Sequence, residues 1–153
     1  MCTGIALVTS ELPAALRDGL GGHVYLREEQ EELQVHWWHE PALLPVRWGG
    51  ALRLVRWGSK VRRSPLPFGG WLSREQLDSG LLANARREEG IIPANMGFNR
   101  GTWFLIIEGI HAVVLPEAPG GPVAYMLTEP STNYYRNMTE QSPTMPAFVN
   151  QVI

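Results

Sequence analysis

Short apolar segments separated by glycine, proline and polar turns predict a chain built mainly from strands. The predicted strands span residues 5–9, 24–26, 33–38, 52–57, 102–107, 110–115, 123–127 and 147–149. In the strand 52–57 apolar and basic residues partly alternate, which would place Arg53 on the face opposite Leu52 and Leu54. Residues 119–122 are predicted to form a turn between two strands, and residues 59–70 a loop.

A few brief helices are also expected. The first begins near Ser10, which would cap it, and ends at the glycine-rich residues 19–22. The second begins at Ser73, because Ser73-Arg74-Glu75-Gln76 has the pattern of a capping box, and ends near Gly80. The third is expected over residues 130–138. Many short strands with few helices predict an α+β fold, mostly β, with a curved or barrel-like mixed sheet.

Length and composition suit a single domain over residues 1–153. The chain has 153 residues, 44% of them hydrophobic, and is long enough to bury roughly two-thirds of its unfolded surface. No apolar run approaches the ~20 residues of a membrane span, and the N-terminus lacks the features of a signal peptide. We therefore expect a cytoplasmic protein with no membrane partner. Its single cysteine excludes an internal disulfide and a multi-cysteine zinc site.

The histidines predict no metal site. His36 and His39 are three residues apart, and on a strand such residues face opposite sides of the sheet. His23 and His111 are isolated in the sequence and are expected to be structural. No glycine-rich phosphate loop follows a predicted strand, so no cofactor is expected.

Charged residues are segregated along the chain, although the formal net charge is only −2. Four acidic residues are most simply interpreted as a solvated turn between two strands: Glu28, Glu29, Glu31 and Glu32. Six of the thirteen Lys and Arg residues fall within seventeen positions: Arg47, Arg53, Arg56, Lys60, Arg62 and Arg63. Trp48 and Trp57 lie in the same stretch, and a basic segment with interleaved aromatic residues suits single-stranded nucleic acid. The alternative is a solvated arginine-rich hairpin whose tryptophans belong to the core.

Cys2, the only cysteine, directly follows Met1. Removal of Met1 would leave a free α-amine and a thiol on adjacent carbon atoms, which is a 1,2-aminothiol. Such a group captures aldehydes: the amine forms a Schiff base, the thiol adds to the imine carbon, and a thiazolidine ring closes. A free α-amine has a pKa of about 7.7–8.0, so part of it is a neutral nucleophile near neutral pH. The alternative is that Cys2 is a small buried hydrophobic residue.

The order of several short motifs resembles the SRAP (SOS-response-associated peptidase) family. These motifs are Met1-Cys2, Val55-Arg56-Trp57-Gly58, Asn84-Ala85-Arg86-Arg87-Glu88, Leu127-Thr128-Glu129-Pro130 and Met145-Pro146. They span most of the chain, and Met1-Cys2 and Asn84-Ala85-Arg86 are the most specific among them. We expect a monomer, and the resemblance implies that it binds single-stranded DNA with abasic sites. It also implies a covalent thiazolidine between the processed Cys2 and the ring-opened deoxyribose aldehyde.

The resemblance assigns a role to each matching residue. Cys2 would be the covalent nucleophile, Asn84 would lie beside it in the pocket, and Arg86 would hold a phosphate. Arg56 and Trp57 would line the path of the DNA strand. Without the family, Asn84 is interpreted as the cap of a turn and Arg86 as part of a surface ion pair.

The chain departs from the family pattern in three places. Thr3-Gly4 replaces the usual Gly-Arg after the cysteine, and Gly97-Phe98-Asn99-Arg100 lacks the family's glutamate. Ser142 stands where the family has a histidine, which makes Ser142 a candidate site residue. Glu129 or Glu108 is a candidate to supply the missing acid/base function. Two other functions stay open: a non-covalent nucleic-acid-binding module of the same fold, and an autoprocessing peptidase acting on its own N-terminus.

Overall fold

The computed structural model of the chain describes residues 1–18 and 23–151. Within these ranges the strands are β1 Gly4–Val8, β2 Val24–Arg27, β3 Gln30–His36, β4 Leu43–Trp48, β5 Ala51–Trp57, β6 Trp71–Ser73, β7 Glu88–Ile92, β8 Met96–Asn99, β9 Thr102–Leu105, β10 Ile110–Leu115, β11 Val123–Pro130 and β12 Thr144–Pro146. The helices are α1 Ala14–Arg17, α2 Arg74–Asp78 and α3 Asn133–Met138, with a 3₁₀ turn at Thr9–Glu11. The fold is mostly β with short helices, as the sequence predicts.

Five strands close into a mixed barrel. Neighbouring strands follow the order β10-β7-β4-β5-β11, and a pairing between β10 and β11 completes the ring. β5 and β11 pair in parallel, whereas the other pairs of the ring are antiparallel. β6 and β12 attach to β11 outside the ring. The barrel-like mixed sheet predicted from the sequence is therefore confirmed.

A second, antiparallel sheet carries the N-terminus. Its strand order is β2-β3-β1-β8-β9, so β1 lies between β3 and β8. Gly4 pairs with His36 on one side and with Phe98 on the other. Because hydrogen bonds hold β1 along both edges, they also fix where residues 1–3 leave the sheet.

One hydrophobic core joins the second sheet to the barrel. Ile5 of β1, Leu44 of β4, Ile92 of β7 and Ile110 of β10 are all 0% exposed and belong to one cluster. Full burial of such a side chain contributes about 1.5–3 kcal/mol to stability. Cys2 belongs to the same cluster, so packing anchors the start of the chain.

β10 is apolar on both faces because each face meets a different cluster. Ala112 and Val114 belong to the main core, whereas Val113 and Leu115 belong to a second cluster against which Leu77 of α2 packs. This double burial explains the apolar run over residues 112–115, which lacks the alternation of a half-exposed strand.

The capping box predicted at Ser73 forms. Ser73 Oγ accepts a hydrogen bond from the backbone N–H of Gln76 at 3.0 Å, and Gln76 Oε1 accepts one from the backbone N–H of Ser73 at 2.9 Å. These reciprocal bonds begin α2 at the predicted residue. α1 ends at Arg17, and its predicted end at 19–22 lies outside the described residues.

The third helix and the closing strand differ in position from the prediction. Pro130 belongs to β11, so α3 begins at Asn133. The last described strand, β12, precedes the predicted strand 147–149, where Phe148 forms an isolated β-bridge with Ile110.

The sequence pattern does not predict β4, β6, β7 and β8. Pro45 interrupts the apolar run of β4, and two glutamates and a glycine open β7. That glycine, Gly90, is required by packing, because a Cβ atom there would lie 2.9 Å from the Val46 side chain. Among the described helices, none is long and apolar enough to cross a membrane.

Candidate functional site at the N-terminus

Backbone and side-chain hydrogen bonds hold the first three residues on both sides. Thr3 donates its N–H to the Phe98 carbonyl oxygen at 2.8 Å, and its own carbonyl oxygen accepts from the N–H of Trp37 at 2.8 Å. Trp71 Nε1 donates to the Cys2 carbonyl oxygen at 2.9 Å. The backbone around Cys2 is therefore fixed by three separate elements of the fold.

The Met1 α-amine points into a polar pocket. It donates to Ser142 Oγ at 3.1 Å and to Asn99 Oδ1 at 3.4 Å. Asn99 is the last residue of β8, and Ser142 lies between α3 and β12. Both side chains are 0% exposed, so the amine is bound by groups that the fold supplies from distant parts of the chain.

The pocket is backed by a network of buried polar side chains. Asn99 Nδ2 donates to Tyr135 Oη at 2.9 Å and to Ser142 Oγ at 3.2 Å. Ser142 Oγ in turn donates to the Thr144 carbonyl oxygen at 3.1 Å. Tyr135 lies on α3 and is also 0% exposed. Since a buried polar group without a partner costs about 1–3 kcal/mol, the members of this network hold one another in place.

The pocket favours the neutral form of the amine. Burial lowers the pKa of the Met1 α-amine, and the positive charge of Arg100 lowers it further, while Cys2 acts in the opposite direction. Arg100 is held near the pocket by a hydrogen bond from Nη1 to the Glu140 carbonyl oxygen at 2.6 Å. A larger neutral fraction makes an amine a better nucleophile near neutral pH.

Cys2 is buried directly beside this amine. Its side chain is 1% exposed, and Sγ donates to the Gly4 carbonyl oxygen at 3.2 Å. Burial raises the pKa of the Cys2 thiol to about 11. Burial also raises the pKa of the Tyr135 phenol, and the proximity of Cys2 contributes to that rise. With Met1 present, the thiol is thus protonated and shielded at neutral pH.

Asn84 and Arg86 lie elsewhere. Asn84 is exposed in the turn between α2 and β7, and the asparagine that contacts the amine is Asn99. Arg86 forms ion pairs with Glu88 and Glu117, each at 2.8 Å, as the surface ion-pair interpretation predicted. Its guanidinium group is therefore already engaged by two carboxylates.

The two glutamates considered as acid/base groups also lie outside the hydrogen-bond network of the amine. Glu129 is half-buried on β11, where it pairs with Met145 of β12. Glu108 is exposed and accepts a hydrogen bond from Asn150 Nδ2 at 3.1 Å. Neither residue has a hydrogen bond to Met1, Ser142 or Asn99 within the described parts of the chain.

Arg56 and Trp57 have structural partners that the sequence did not reveal. Arg56 Nη2 donates to the carbonyl oxygens of Pro119 and Gly121 at 2.8 and 2.6 Å, which pins the turn predicted at 119–122. Trp57 is 2% exposed and donates from Nε1 to the Gly70 carbonyl oxygen. Trp57 therefore cannot offer a ring face to a nucleic-acid base in this conformation, which corrects the expectation that it lines an exposed strand path.

The other features of the basic segment are divided between core and surface. Trp48 is only 8% exposed, so the core interpretation of the tryptophans holds for it as well. Lys60, Arg62 and Arg63 are exposed on the loop that follows β5. Lys60 Nζ lies 4.7 Å from the ring centroid of Trp37, whose backbone N–H binds Thr3. The exposed part of the basic segment thus begins next to the N-terminal site.

The histidines form a cluster that the strand periodicity did not predict. β3 ends at His36, and the following turn brings His39 back, so the two ring centroids lie 5.4 Å apart. His23 stacks on His39 at 3.9 Å. Gly4 makes room for His36, because a Cβ atom at Gly4 would lie 2.6 Å from His36 Nδ1. No group of three metal-binding side chains suited to an ion occurs among the described residues.

The acidic turn is likewise only partly solvated. Glu28, Glu29 and Glu31 are exposed, but Glu32 is 5% exposed and accepts from Arg27 Nε at 2.6 Å. This buried carboxylate is paired with its guanidinium across the hairpin of β2 and β3.

Sequence reasoning overlooked Asn99 and Tyr135. In the sequence Asn99 belongs only to a segment that lacks a glutamate, and Tyr135 only to a predicted helix. The signal that the sequence offers for Asn99 is its position directly before Arg100-Gly101, a turn-forming pair. For Tyr135 no comparable local signal exists, because its partners lie far away in the sequence.

An amine, a thiol, an amide and two hydroxyl groups therefore meet at one point of the fold. Comparisons of the chain with protein-family models, with curated proteins and with solved structures found no match.

Proposed function

We propose that this protein is an SRAP-like sensor of abasic sites, which binds single-stranded DNA and crosslinks to it through Cys2 after removal of Met1. The observation that carries the proposal is the N-terminal amine in a buried polar pocket, beside the only cysteine of the chain. Burial and Arg100 lower the pKa of the Met1 α-amine, and the amine of the processed Cys2 would lie beside the same groups, which favour the neutral form that carbonyl capture needs.

The chemistry proceeds through three bond changes. The neutral α-amine of the processed Cys2 attacks the aldehyde carbon of the ring-opened deoxyribose and gives a carbinolamine. Loss of one water molecule gives the imine. The thiol then adds to the imine carbon as its proton passes to the nitrogen, so that the overall products are a thiazolidine and water. No oxidant, reductant or metal ion is consumed.

Removal of Met1 is required for two reasons. The nitrogen of Cys2 is an amide nitrogen while Met1 is attached, and an amide is not a nucleophile under these conditions. Met1 is also 48% exposed, so its loss opens the pocket to solvent from the side that it now covers. Asn99 Oδ1 and Ser142 Oγ then lose their present donor and become acceptors for a hydroxyl group of the incoming sugar.

The DNA strand is proposed to follow the exposed loop 59–70. Arg62 and Arg63 supply positive charge there, and Lys60, which pairs with Glu40 at 3.2 Å, lies against Trp37 next to the N-terminal backbone. Trp38 is 59% exposed and stacks on His36 with ring centroids 4.3 Å apart, which leaves an indole for a base to stack on. These residues replace Arg56 and Trp57 in the proposed path.

A second candidate function is a non-covalent nucleic-acid-binding module. The observation that favours it is the state of the thiol: Cys2 is 1% exposed and burial raises its pKa to about 11. If Met1 stays attached, the polar pocket serves only to anchor the N-terminus. The third function, an autoprocessing peptidase, requires loss of Met1 from the purified chain without an added aminopeptidase.

A crosslinking assay with Cys2→Ser separates these functions. The processed protein is expected to give a denaturation-resistant adduct with an abasic single-stranded oligonucleotide. Cys2→Ser keeps the amine and lacks the thiol, so its adduct should require borohydride to survive denaturation. A Cys2→Ser variant that crosslinks as well as the parent without borohydride contradicts the thiazolidine. Binding of intact and abasic strands with no adduct in any sample supports the non-covalent module.

A further inference from the structure

The hydrogen bonds within the pocket show which of its side chains still has a hydrogen to donate. Asn99 uses both hydrogens of Nδ2, one toward Tyr135 and one toward Ser142, and its Oδ1 faces the amine. Its amide is therefore fixed in one orientation, with an acceptor directed at the N-terminus.

Ser142 has no proton available for a ligand. Its Oγ accepts from the Met1 amine and from Asn99 Nδ2, and its hydroxyl hydrogen is donated to the Thr144 carbonyl oxygen. Two accepted bonds and one donated bond exhaust the capacity of a hydroxyl group. Ser142 can therefore accept hydrogen bonds from an amine but cannot donate one to a carbonyl oxygen.

Tyr135 differs from both. Its Oη accepts from Asn99 Nδ2, and within residues 1–18 and 23–151 its own proton has no acceptor. The ring is held in place by edge contacts with Phe104 and by packing against Phe148, with centroids 5.4 and 6.3 Å away. A buried and rigid phenol thus directs an uncommitted O–H group within the N-terminal site.

We propose that Tyr135 is the hydrogen-bond donor for the aldehyde oxygen when the N-terminal amine attacks the aldehyde carbon. The proposal rests on the proposed function and names a residue for its first step. Asn99 connects the phenol to the space that Met1 now fills: its Nδ2 contacts Tyr135 Oη, and its Oδ1 contacts the Met1 amine. Once Met1 is removed, an aldehyde bonded to the Cys2 nitrogen would enter that space. The aldehyde would then lie next to its nucleophile, the Cys2 nitrogen, and beside the amide that binds the Tyr135 phenol.

The step balances without a net proton transfer from Tyr135. The amine lone pair forms the carbon–nitrogen bond, and the electron pair of the carbonyl bond moves to oxygen. The O–H of Tyr135 stabilises the charge that develops there, and a proton from the attacking nitrogen then neutralises the oxygen to give the carbinolamine. Tyr135 keeps its proton throughout.

The surroundings of Tyr135 suit this role. Burial raises the pKa of the phenol, so it remains a donor over the whole working range of pH. The hydrogen bond that Oη accepts from Asn99 polarises the O–H bond and strengthens its donation. Pre-oriented donors of this kind, in sites that exclude water, stabilise developing oxyanions strongly.

The test compares Tyr135→Phe with Tyr134→Phe, its neighbour on α3. Tyr134 is 65% exposed, so its variant controls for loss of a phenol hydroxyl from the same helix. The processed proteins are reacted with glycolaldehyde, a small aldehyde that needs no DNA-binding surface, and the thiazolidine is followed by intact mass. Thermal unfolding confirms that both variants fold, and a peptide with the same N-terminal sequence gives the unassisted rate.

Tyr135→Phe should slow the reaction on the order of 10²-fold, the usual effect of removing one oxyanion donor, and Tyr134→Phe should leave the rate unchanged. Equal rates for Tyr135→Phe and the parent overturn the proposal. A parent protein that reacts no faster than the peptide also overturns it.

The same variants with abasic DNA separate the two proposals. If Tyr135→Phe forms the DNA adduct at the parental rate, only the role of Tyr135 is refuted. If capture of glycolaldehyde depends on Tyr135 but no DNA adduct forms, only the DNA function is refuted.

Discussion

Asn99 makes three of the hydrogen bonds in the N-terminal pocket, and two of them join it to the buried hydroxyl groups of Tyr135 and Ser142. Truncation of this side chain would leave these two buried hydroxyl groups with fewer partners. The resulting loss of stability is larger than that from removing one average hydrogen bond, because unpaired buried groups retain their full desolvation penalty. The residue therefore couples the stability of the fold to the chemistry of the N-terminus.

Asn99→Ala should lower the free energy of unfolding by about 1–3 kcal/mol. It should also slow adduct formation with abasic DNA, because the pocket beside Cys2 loses the acceptor proposed for a hydroxyl group of the sugar. The matched control is Asn84→Ala, which removes the same side chain from an exposed turn and should change stability by no more than about 0.5 kcal/mol. Urea unfolding and the crosslinking assay measure both effects. Equal effects of the two substitutions would show that Asn99 is not part of the site.

The thiol of Cys2 should react slowly with alkylating agents while it is buried. In protein that retains Met1, Cys2 is 1% exposed with a pKa of about 11, so alkylation by iodoacetamide at pH 8 should be slow. The rate should increase as pH is raised toward 11 and should increase sharply when the chain is unfolded in urea. Intact mass follows the reaction. Native protein that reacts as fast as unfolded protein would contradict the burial of the thiol.

At the scale of elements, the loop 59–70 is the proposed contact for DNA phosphates. Arg62→Ala should weaken binding to intact and abasic single strands alike, since a phosphate contact carries no information about the lesion. The slope of log affinity against log salt concentration should fall by about 0.7, the value for one phosphate contact on a single strand.

The control for Arg62 is Arg86→Ala, which removes an identical charge. Arg86 already pairs with Glu88 and Glu117, so we expect a smaller loss of affinity than for Arg62. Fluorescence anisotropy over a range of salt concentrations measures both slopes. A larger loss of DNA affinity for Arg86→Ala than for Arg62→Ala would show that the phosphate contact lies in the turn at 84–88.

The turn after β3 gives the protein a pH-dependent stability. Burial lowers the pKa of both His36 and His39 from 6.5. His39 and His23 lower the pKa of His36 further, and His23 and Lys60 lower the pKa of His39 further. Below pH 6.5 the unfolded chain therefore binds more protons than the folded protein, and stability decreases as pH falls. His39→Gln should reduce this dependence, whereas His111→Gln on β10 should not. Unfolding midpoints at pH 7.5 and 5.5 that do not differ would contradict this prediction.

The elements also show how far the sequence predicts the fold. β10 and α2 are predicted because the apolar run over residues 112–115 and the capping box at Ser73 are local signals. β7 is not predicted, because two glutamates and Gly90 interrupt its apolar pattern. Gly90 is small because the Val46 side chain of the neighbouring strand leaves no room for a Cβ atom. The His36–His39 contact was missed because a turn replaces the strand directly after His36.

At the scale of the whole molecule, the site exists because β1 lies at the centre of its sheet. Asn99 and Ser142 reach the amine from 98 and 141 positions away in the sequence. Such separations leave no periodic pattern, so only a resemblance to a family directed attention to Ser142, and nothing directed it to Tyr135. The same resemblance pointed to Asn84, which the fold places in an exposed turn.

The proposed function requires the processed N-terminus to capture an abasic site covalently, and one intact-mass measurement shows whether it does. Purified protein is measured with and without an oligonucleotide carrying a single abasic site. We expect the free protein to lack Met1, and the mixture to contain a species whose mass is the sum of protein and oligonucleotide less one water. Protein that has lost Met1 but forms no such species, at concentrations at which it binds the oligonucleotide, would contradict the proposed function.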